Sequence, residues 1–297
     1  MNVISLFNGM GTLRQAFKDL NIKVDKYYSS EIKPYAIELQ QHHFPDVIQV
    51  GDINNWKSWN IDWANVGFIG SGSPCQDLSA ANKERLGLKG NKSSLFFKFI
   101  EILEHVRTLN PNVIFFQENV GSANKTDVGI MSRAMGVYPV RLNSKTVVAQ
   151  QRDRYYWTNI RTKETMFDLV TDIPEPKDRK IKLQDILTNG YTDRKKARAI
   201  LESEERQLVD KVKLFKRYSE FGMTNLIFDN KKCEANENVR ILDKQELCKL
   251  QGFDKDYCDI LTRNKAASLL GDGWTLPIIV HILSFLGKGK ILKINCR

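Results

Sequence analysis

The 297-residue chain has no Cys-x-x-Cys pair: its five cysteines, Cys75, Cys233, Cys248, Cys258 and Cys296, are odd in number and scattered. That spacing argues against a disulfide framework and a cysteine zinc site, and fits a reducing interior. Histidine is scarce as well. His42, His43, His105 and His281 show no ligand spacing, so no metal is expected. No apolar run approaches the length that spans a bilayer, and no charged-then-apolar leader follows Met1, which predicts a soluble intracellular protein. Internal repeats, heptads and low-complexity tracts are also missing. Acid is in deficit: 45 Lys and Arg against 35 Asp and Glu give a net charge of +10 and a pI near 9.3. A basic chain gains affinity for polyanions by releasing counterions from phosphates, although a basic enzyme with no such partner has the same balance. With 42% hydrophobic content, the length suffices for one large core and a smaller appended unit.

What is present is a series of short apolar strands, each running out into residues able to bind or react. Asn2 to Phe7 breaks into Asn8-Gly9-Met10-Gly11-Thr12, after which Leu13, Ala16, Phe17 and Leu20 recur at helical spacing. Glycines at 9 and 11 let a ligand approach the backbone. Arg14 stands where a dinucleotide fingerprint has its third glycine, which favours a phosphate-free adenosine ligand over a pyrophosphate cofactor. Val24 to Ser30 is followed by Glu31, placed to accept ribose hydroxyls. Pro34 opens a helix reaching about Phe44, and Val47 to Val50 leads to Asp52, suited to an adenine amino group. Val66 to Ile69 enters the loop Gly70 to Ser79, which presents Cys75. On that loop alone a nucleophile and a small hydrophobe in a turn are equally supported. Val113 to Phe116 then ends in Gln117-Glu118-Asn119-Val120. One such acid reads as a solvated loop or a helix cap, but five groups at five successive strand ends point to one ligand edge of a parallel sheet.

The segment from Asp77 to Ser94 holds Asn82, Lys83, Arg85 and Lys89, as expected of a loop that closes over a phosphate backbone or of an ordinary solvated loop. Leu95 to Val106 has the spacing of an amphipathic helix; Met131 to Met135 and Val137 to Leu142 predict a further helix and strand. Arg152 and Arg154 precede the strand Tyr155 to Ile160, and a spacing of two puts them on one strand face for carbonyl or phosphate recognition. From Arg161 the composition turns to proline and mixed charge, which marks residues 161–239 as a separate small unit, with a helix from Glu202 to Phe215 and a strand from Thr224 to Phe228. The first domain covers residues 1–160, and regular patterning returns over residues 240–297. There Asp243 and Glu246 form a capping box for a helix ending at Gly252, Ala266 to Leu270 forms another, and Pro277 lies in the first turn of the last.

A loop thiolate, a strand-end carboxyl group, an adenosine site and a basic flank fit methyl transfer to carbon 5 of cytosine. That carbon is a poor nucleophile until Cys75 adds to carbon 6. Glu118 then manages a proton at ring nitrogen 3, Arg152 or Arg154 stabilises the exocyclic oxygen, and S-adenosylmethionine gives the methyl group. A base stacked in a duplex must first be flipped out.

At Phe7-Asn8-Gly9-Met10-Gly11, Ser73-Pro74-Cys75-Gln76, Glu118-Asn119-Val120 and Gln150-Gln151-Arg152-Asp153-Arg154 the chain resembles the cytosine-5 DNA methyltransferases. Asp77-Leu78-Ser79 and Leu270-Gly271-Asp272-Gly273-Trp274 look most like the de novo branch. The resemblance implies an α/β, Rossmann-like S-adenosylmethionine-dependent fold, a mixed seven-stranded sheet, and a small target-recognition domain. It implies Cys75 as nucleophile, with Glu118, Arg152 and Arg154 at the base and Asn119, Ser73, Pro74 and Gln76 beside it. Phe7, Gly9, Gly11, Glu31, Ile32, Asp52, Ile53, Leu95, Asp272 and Trp274 would serve the cofactor. Asp272 replaces the asparagine of many members, and Ser5 their aspartate. Double-stranded DNA is the implied partner, in a bacterial or phage setting such as restriction-modification. An RNA (tRNA) cytosine-5 methyltransferase and a non-catalytic DNA-binding or partner-binding relative are the alternatives.

Overall fold

The computed structural model describes residues 1–74, 94–200, 211–220, 224–234 and 238–287. They divide into two compact units. The described residues of Met1–Leu142, Asp153–Glu175 and Val280–Arg297 form the first, and those of Asn143–Arg152 and Pro176–Ile279 the second.

Strands β1 (Asn2–Leu6), β2 (Tyr27–Ser30), β3 (Val47–Gln49), β4 (Val66–Ser71), β5 (Ile114–Val120) and β6 (Val140–Asn143) grow from the apolar runs of the sequence. They are joined by helices α1 (Thr12–Asp19), α2 (Pro34–His43), α3 (Leu95–Leu109) and α4 (Lys125–Met135). After the two-residue β7 (Gln150–Gln151), strand β8 (Asp153–Thr158) completes a seven-stranded sheet of order β3-β2-β1-β4-β5-β8-β6. The pairs β1 with β2, β2 with β3, β1 with β4, and β4 with β5 are all parallel. Their carboxyl ends therefore share one edge. Strand order reverses direction between β1 and β4, and the crevice outside such a switch point is where open α/β sheets bind ligands.

The core beneath that edge is apolar and aromatic. Helix α3 buries Phe96, Phe99, Ile100, Ile102, Leu103 and Val106, the face its periodicity predicts. Phe17 of α1 meets Phe68 of β4 edge to face at 5.2 Å. Gly70 allows a close approach: a Cβ there would lie 2.5 Å from Leu13 Cδ2. The tight helix-to-strand packing that a third fingerprint glycine would provide on the helix is thus provided by a glycine on β4.

Strand β5 runs further than its apolar run suggests. Its parallel contact with β4 ends at Ser71 opposite Gln117, but antiparallel β8 continues the ladder, pairing Glu118 with Tyr156, Asn119 with Tyr155 and Val120 with Arg154. Glu118 and Asn119 are strand residues, not loop residues. Helix α4 likewise begins at Lys125, six residues before the expected Met131, capped by Asn124. The first unit also holds a hairpin without an apolar signature, β9 (Thr162–Glu164) with β10 (Leu169–Thr171).

In the second unit, β11 (Ala197–Arg198) pairs with β7, and β12 (Leu226–Ile227) with β13 (Arg240–Ile241). Helix α5 (Lys211–Ser219) places Leu214 with Leu226, Phe228 and Val239 in a small core. Helix α6 (Lys244–Leu250) has the expected capping box, and its buried Glu246 takes both Nη atoms of Arg240 at 2.8 Å. Helix α7 (Arg263–Asp272) runs two residues past its expected end at Leu270, and α8 (Leu276–Leu283) opens with Pro277 in its first turn. Among the described residues, Arg263–Leu283 is the one stretch long and apolar enough to cross a membrane; an 18-residue window of it has a mean hydropathy of 1.4 and is 67% buried.

Candidate active site

Three features leave the carboxyl ends of β1, β2 and β3. After β1, the backbone takes left-handed dihedrals at Phe7 (φ 55°), Gly9 (φ 56°) and Gly11 (φ 83°), which turns the chain into α1. Among the described residues, chain neighbours aside, no atom lies within 4 Å of where a Gly9 Cβ would be, so that face of the loop is open to them. Phe7 is half-buried against the core. After β2, Glu31 accepts three backbone N–H groups: Gly9 at 2.7 Å on Oε2, and Ile32 and Lys33 at 2.8 and 3.0 Å on Oε1. Its carboxylate is thereby oriented by the loop it faces. Ile32 beside it is 68% exposed, an apolar surface offered at a polar edge. After β3, Asp52 spends Oδ1 on capping the short 3-10 helix Ile53–Ser58, accepting from the Asn54 backbone at 2.9 Å, while Ile53 is buried in the core. Leu95 packs half-buried against the same core. An oriented carboxylate, an open glycine face and an exposed apolar side chain together suit the ribose and the flat base of an adenosine moiety.

The second set stands at β4, β5 and β8. Glu118 and Arg154 are diagonal neighbours across the antiparallel β5–β8 pair, on one sheet face. Arg154 Nε meets Glu118 Oε1 at 2.8 Å, with the two side chains only 13% and 10% exposed. The residues flanking Glu118 both reach back to the end of β4. Gln117 Nε2 donates to Ser73 Oγ at 2.9 Å, and Asn119 Nδ2 lies 3.3 Å from the same oxygen. Ser73 is buried, and with Pro74 it leads directly to Cys75. Cys75, Gln76, Asn82, Lys83, Arg85 and Lys89 lie outside the described residues.

Arg152 does not share a strand face with Arg154, because β8 begins only at Asp153. Its Nη2 donates instead to the carbonyls of Gly271 and Gly273, both at 2.9 Å. Arg152 is 3% exposed and orders the turn that carries Asp272 and Trp274 in the second unit. There Asp272 is exposed at the end of α7 and Trp274 is buried. Gln117 was not anticipated from the sequence. The available signal was a glutamine within the run Phe115-Phe116-Gln117, where an amide needs a buried partner. Among the described residues no group of three or more His, Cys, Asp or Glu could hold a metal ion.

Known proteins resemble this chain in sequence and in fold. It is 33% identical over 105 residues to the type II methyltransferase M.NgoBV of Neisseria gonorrhoeae, covering 34% of this chain and 24% of that protein. It is 27% identical over 172 residues to the orphan methyltransferase M.SPRI of Bacillus phage SPR, covering 54% and 38%. The matches thus span well under half of those relatives. In fold it is similar to the Entamoeba histolytica methyltransferase EhMeth, with a TM-score of 0.67 at 18% identity over 97% of this chain and 98% of that one. It is also similar to the S. pombe Dnmt2 methyltransferase, with a TM-score of 0.59 at 14% identity over 96% and 97%. The family described as C-5 cytosine-specific DNA methylase matches residues 1–213, well over half of the chain, and the chain belongs to that family.

Proposed function

We propose that this chain is a DNA (cytosine-5)-methyltransferase, acting through a covalent Cys75 adduct on a cytosine flipped out of the duplex. The observation that carries the proposal is the buried Glu118–Arg154 pair, held beside the Ser73–Pro74 segment that leads to Cys75. Cys75 adds to carbon 6 of the ring, which makes carbon 5 nucleophilic and splits one hard step into two. Glu118 holds a proton at ring nitrogen 3, and Arg154 keeps its carboxylate turned to that task. Gln117 and Asn119 hold Ser73, and through it the start of the nucleophile loop. Arg152 is a positioning residue for the Gly271–Trp274 turn. Loss of the carbon 5 proton to water leaves its electron pair to re-form the carbon 5–carbon 6 double bond, which breaks the bond to sulfur, releases Cys75 as thiolate and completes the cycle.

S-adenosylmethionine, the methyl donor that the family and the fold imply, supplies an electrophilic methyl group when bound. Glu31 would take its ribose hydroxyls, Ile32 and Phe7 its adenine, and the Gly9–Gly11 loop would let it lie against the backbone. Charge supports a nucleic-acid substrate. Among the described residues the second unit carries 22 Lys and Arg against 12 Asp and Glu, a net +10, while the first carries 14 against 16. Phosphate affinity is thereby concentrated in one unit. The matching family, described as C-5 cytosine-specific DNA methylase, favours DNA over RNA.

Sequencing modified bases in a plasmid expressed with this protein tests the proposal. Wild type should leave 5-methylcytosine, and Cys75→Ala should leave none and fail to trap on 5-fluorocytosine DNA. Normal turnover by Cys75→Ala would refute the mechanism. Methyl incorporation into transfer RNA in place of duplex DNA would reassign the substrate, and DNA binding with neither product nor trapping would indicate a non-catalytic relative.

A further inference from the structure

A one-directional chain of buried hydrogen bonds runs beneath the glycine loop and ends on it. The Tyr27 and Ser5 hydroxyls donate to Asn8 Oδ1 at 3.0 and 2.6 Å, and Asn8 Nδ2 donates to Ser29 Oγ at 3.0 Å. Ser29 Oγ donates to Gln40 Oε1 at 2.7 Å, and Gln40 Nε2 donates to the Gly9 carbonyl at 2.6 Å. None of these five side chains is more than 4% exposed. The direction follows from chemistry. A carbonyl only accepts, so Gln40 must turn its nitrogen to Gly9 and its oxygen to Ser29. Ser29 then spends its one proton on Gln40 and must take a donor from Asn8, whose oxygen is left for Ser5 and Tyr27. Gln49 Nε2 adds a second donor to Gln40 Oε1 at 2.9 Å.

Both backbone polar groups of Gly9 are therefore engaged, its carbonyl by Gln40 and its N–H by Glu31 Oε2. The glycine holds both bonds at φ 56°, a left-handed conformation that favours glycine. We propose that Gln40 is a positioning residue for the cofactor loop: by holding the Gly9 carbonyl it keeps the Gly9 N–H on Glu31, and so keeps Glu31 aimed at the ribose. This rests on the reading of Glu31 given above. A directional, fully buried chain polarises its members in series, so the bond on Gly9 gains strength from Tyr27 and Ser5 at the far end.

Two variants separate this role from packing. Gln40→Met keeps the volume and removes the donor, while ionised Gln40→Glu keeps acceptors for Ser29 and Gln49 but has nothing to donate to Gly9. Both should raise ligand-free amide exchange across Asn8–Gly11 about five- to tenfold, the weight of one such hydrogen bond, and weaken S-adenosylhomocysteine binding in calorimetry by a similar factor. Leu39→Ala, a buried change in the same helix, should lower the urea midpoint and leave that affinity unchanged. Unchanged exchange at Gly9 in Gln40→Met would overturn the proposal. So would faster exchange with unchanged affinity, or an equal loss of affinity in Leu39→Ala. Wild type that binds no S-adenosylhomocysteine would sink the cofactor reading instead, and the exchange data would still decide whether Gln40 holds the loop.

Discussion

Replacing Arg154 with methionine should cost far more stability than its contact with Glu118 is worth. At 2.8 Å between Nε and Oε1, with both side chains nearly buried, the charge centres sit roughly 4 Å apart. At an effective dielectric constant of about 20 their attraction is about 4 kcal/mol, and the desolvation of both ions offsets most of it. The net value of the pair is therefore small. Removing one partner is different, because it takes the countercharge from a buried carboxylate, at a cost of about 3 kcal/mol or more. Arg154→Met alone should lower the urea midpoint strongly, and Glu118→Gln alone somewhat less, since Arg154 keeps its bond from Nη1 to the Asp153 carbonyl at 2.8 Å. The double variant should recover most of the loss while remaining unable to methylate cytosine. Chemical denaturation of the four proteins, with base trapping measured alongside, gives both answers. Additive stability losses in the double variant would show that the two charges are effectively solvated, and would refute the buried-pair account.

Two further outcomes are expected. Gly70→Ala places a methyl group 2.5 Å from Leu13 Cδ2, so it should destabilise by about 1–3 kcal/mol, and adding Leu13→Ala should relieve the crowding while leaving a loss of its own. Gly70→Ala with an unchanged denaturation midpoint would contradict the close packing of α1 on β4. Tyr218 is pushed up to about 12 by burial and by the bond and charge of Asp193. Its folded value lies above the unfolded one of about 10, so its contribution to stability is complete below about pH 10 and is lost as pH rises toward 12. Tyr218→Phe should therefore flatten the alkaline decline of the urea midpoint over that interval, and equal slopes in the two proteins would remove Tyr218 from the account.

Local pattern made much of the first unit legible. Apolar runs bounded by glycine, proline and acids marked β1 to β5, and the polar residues that follow them stand at the carboxyl ends of those strands. The same patterns misplaced Glu118, because the strand it belongs to continues past β4 only through pairing with β8, whose sequence lies nearly forty residues away. Arg152 and Arg154 show the limit of a two-residue period. Both would share a face if the strand began early enough, but Arg152 lies before β8 and binds carbonyls at Gly271 and Gly273. Gln40 gave no signal at all, since a glutamine in a polar helix end is ordinarily solvated.

By itself the sequence determined which residue types occur at each strand end, the tight turn at Gly9 and Gly11, the capping box at Asp243, and the excess of positive charge. These depend on neighbours a few positions apart, where backbone sterics and side-chain spacing act directly. Only the tertiary structure decided which polar group satisfies which: Arg154 with Glu118, Gln117 and Asn119 with Ser73, Gln40 with Gly9. The reason is that a buried donor must find an acceptor wherever the fold brings one, and spacing along the chain carries no record of that meeting.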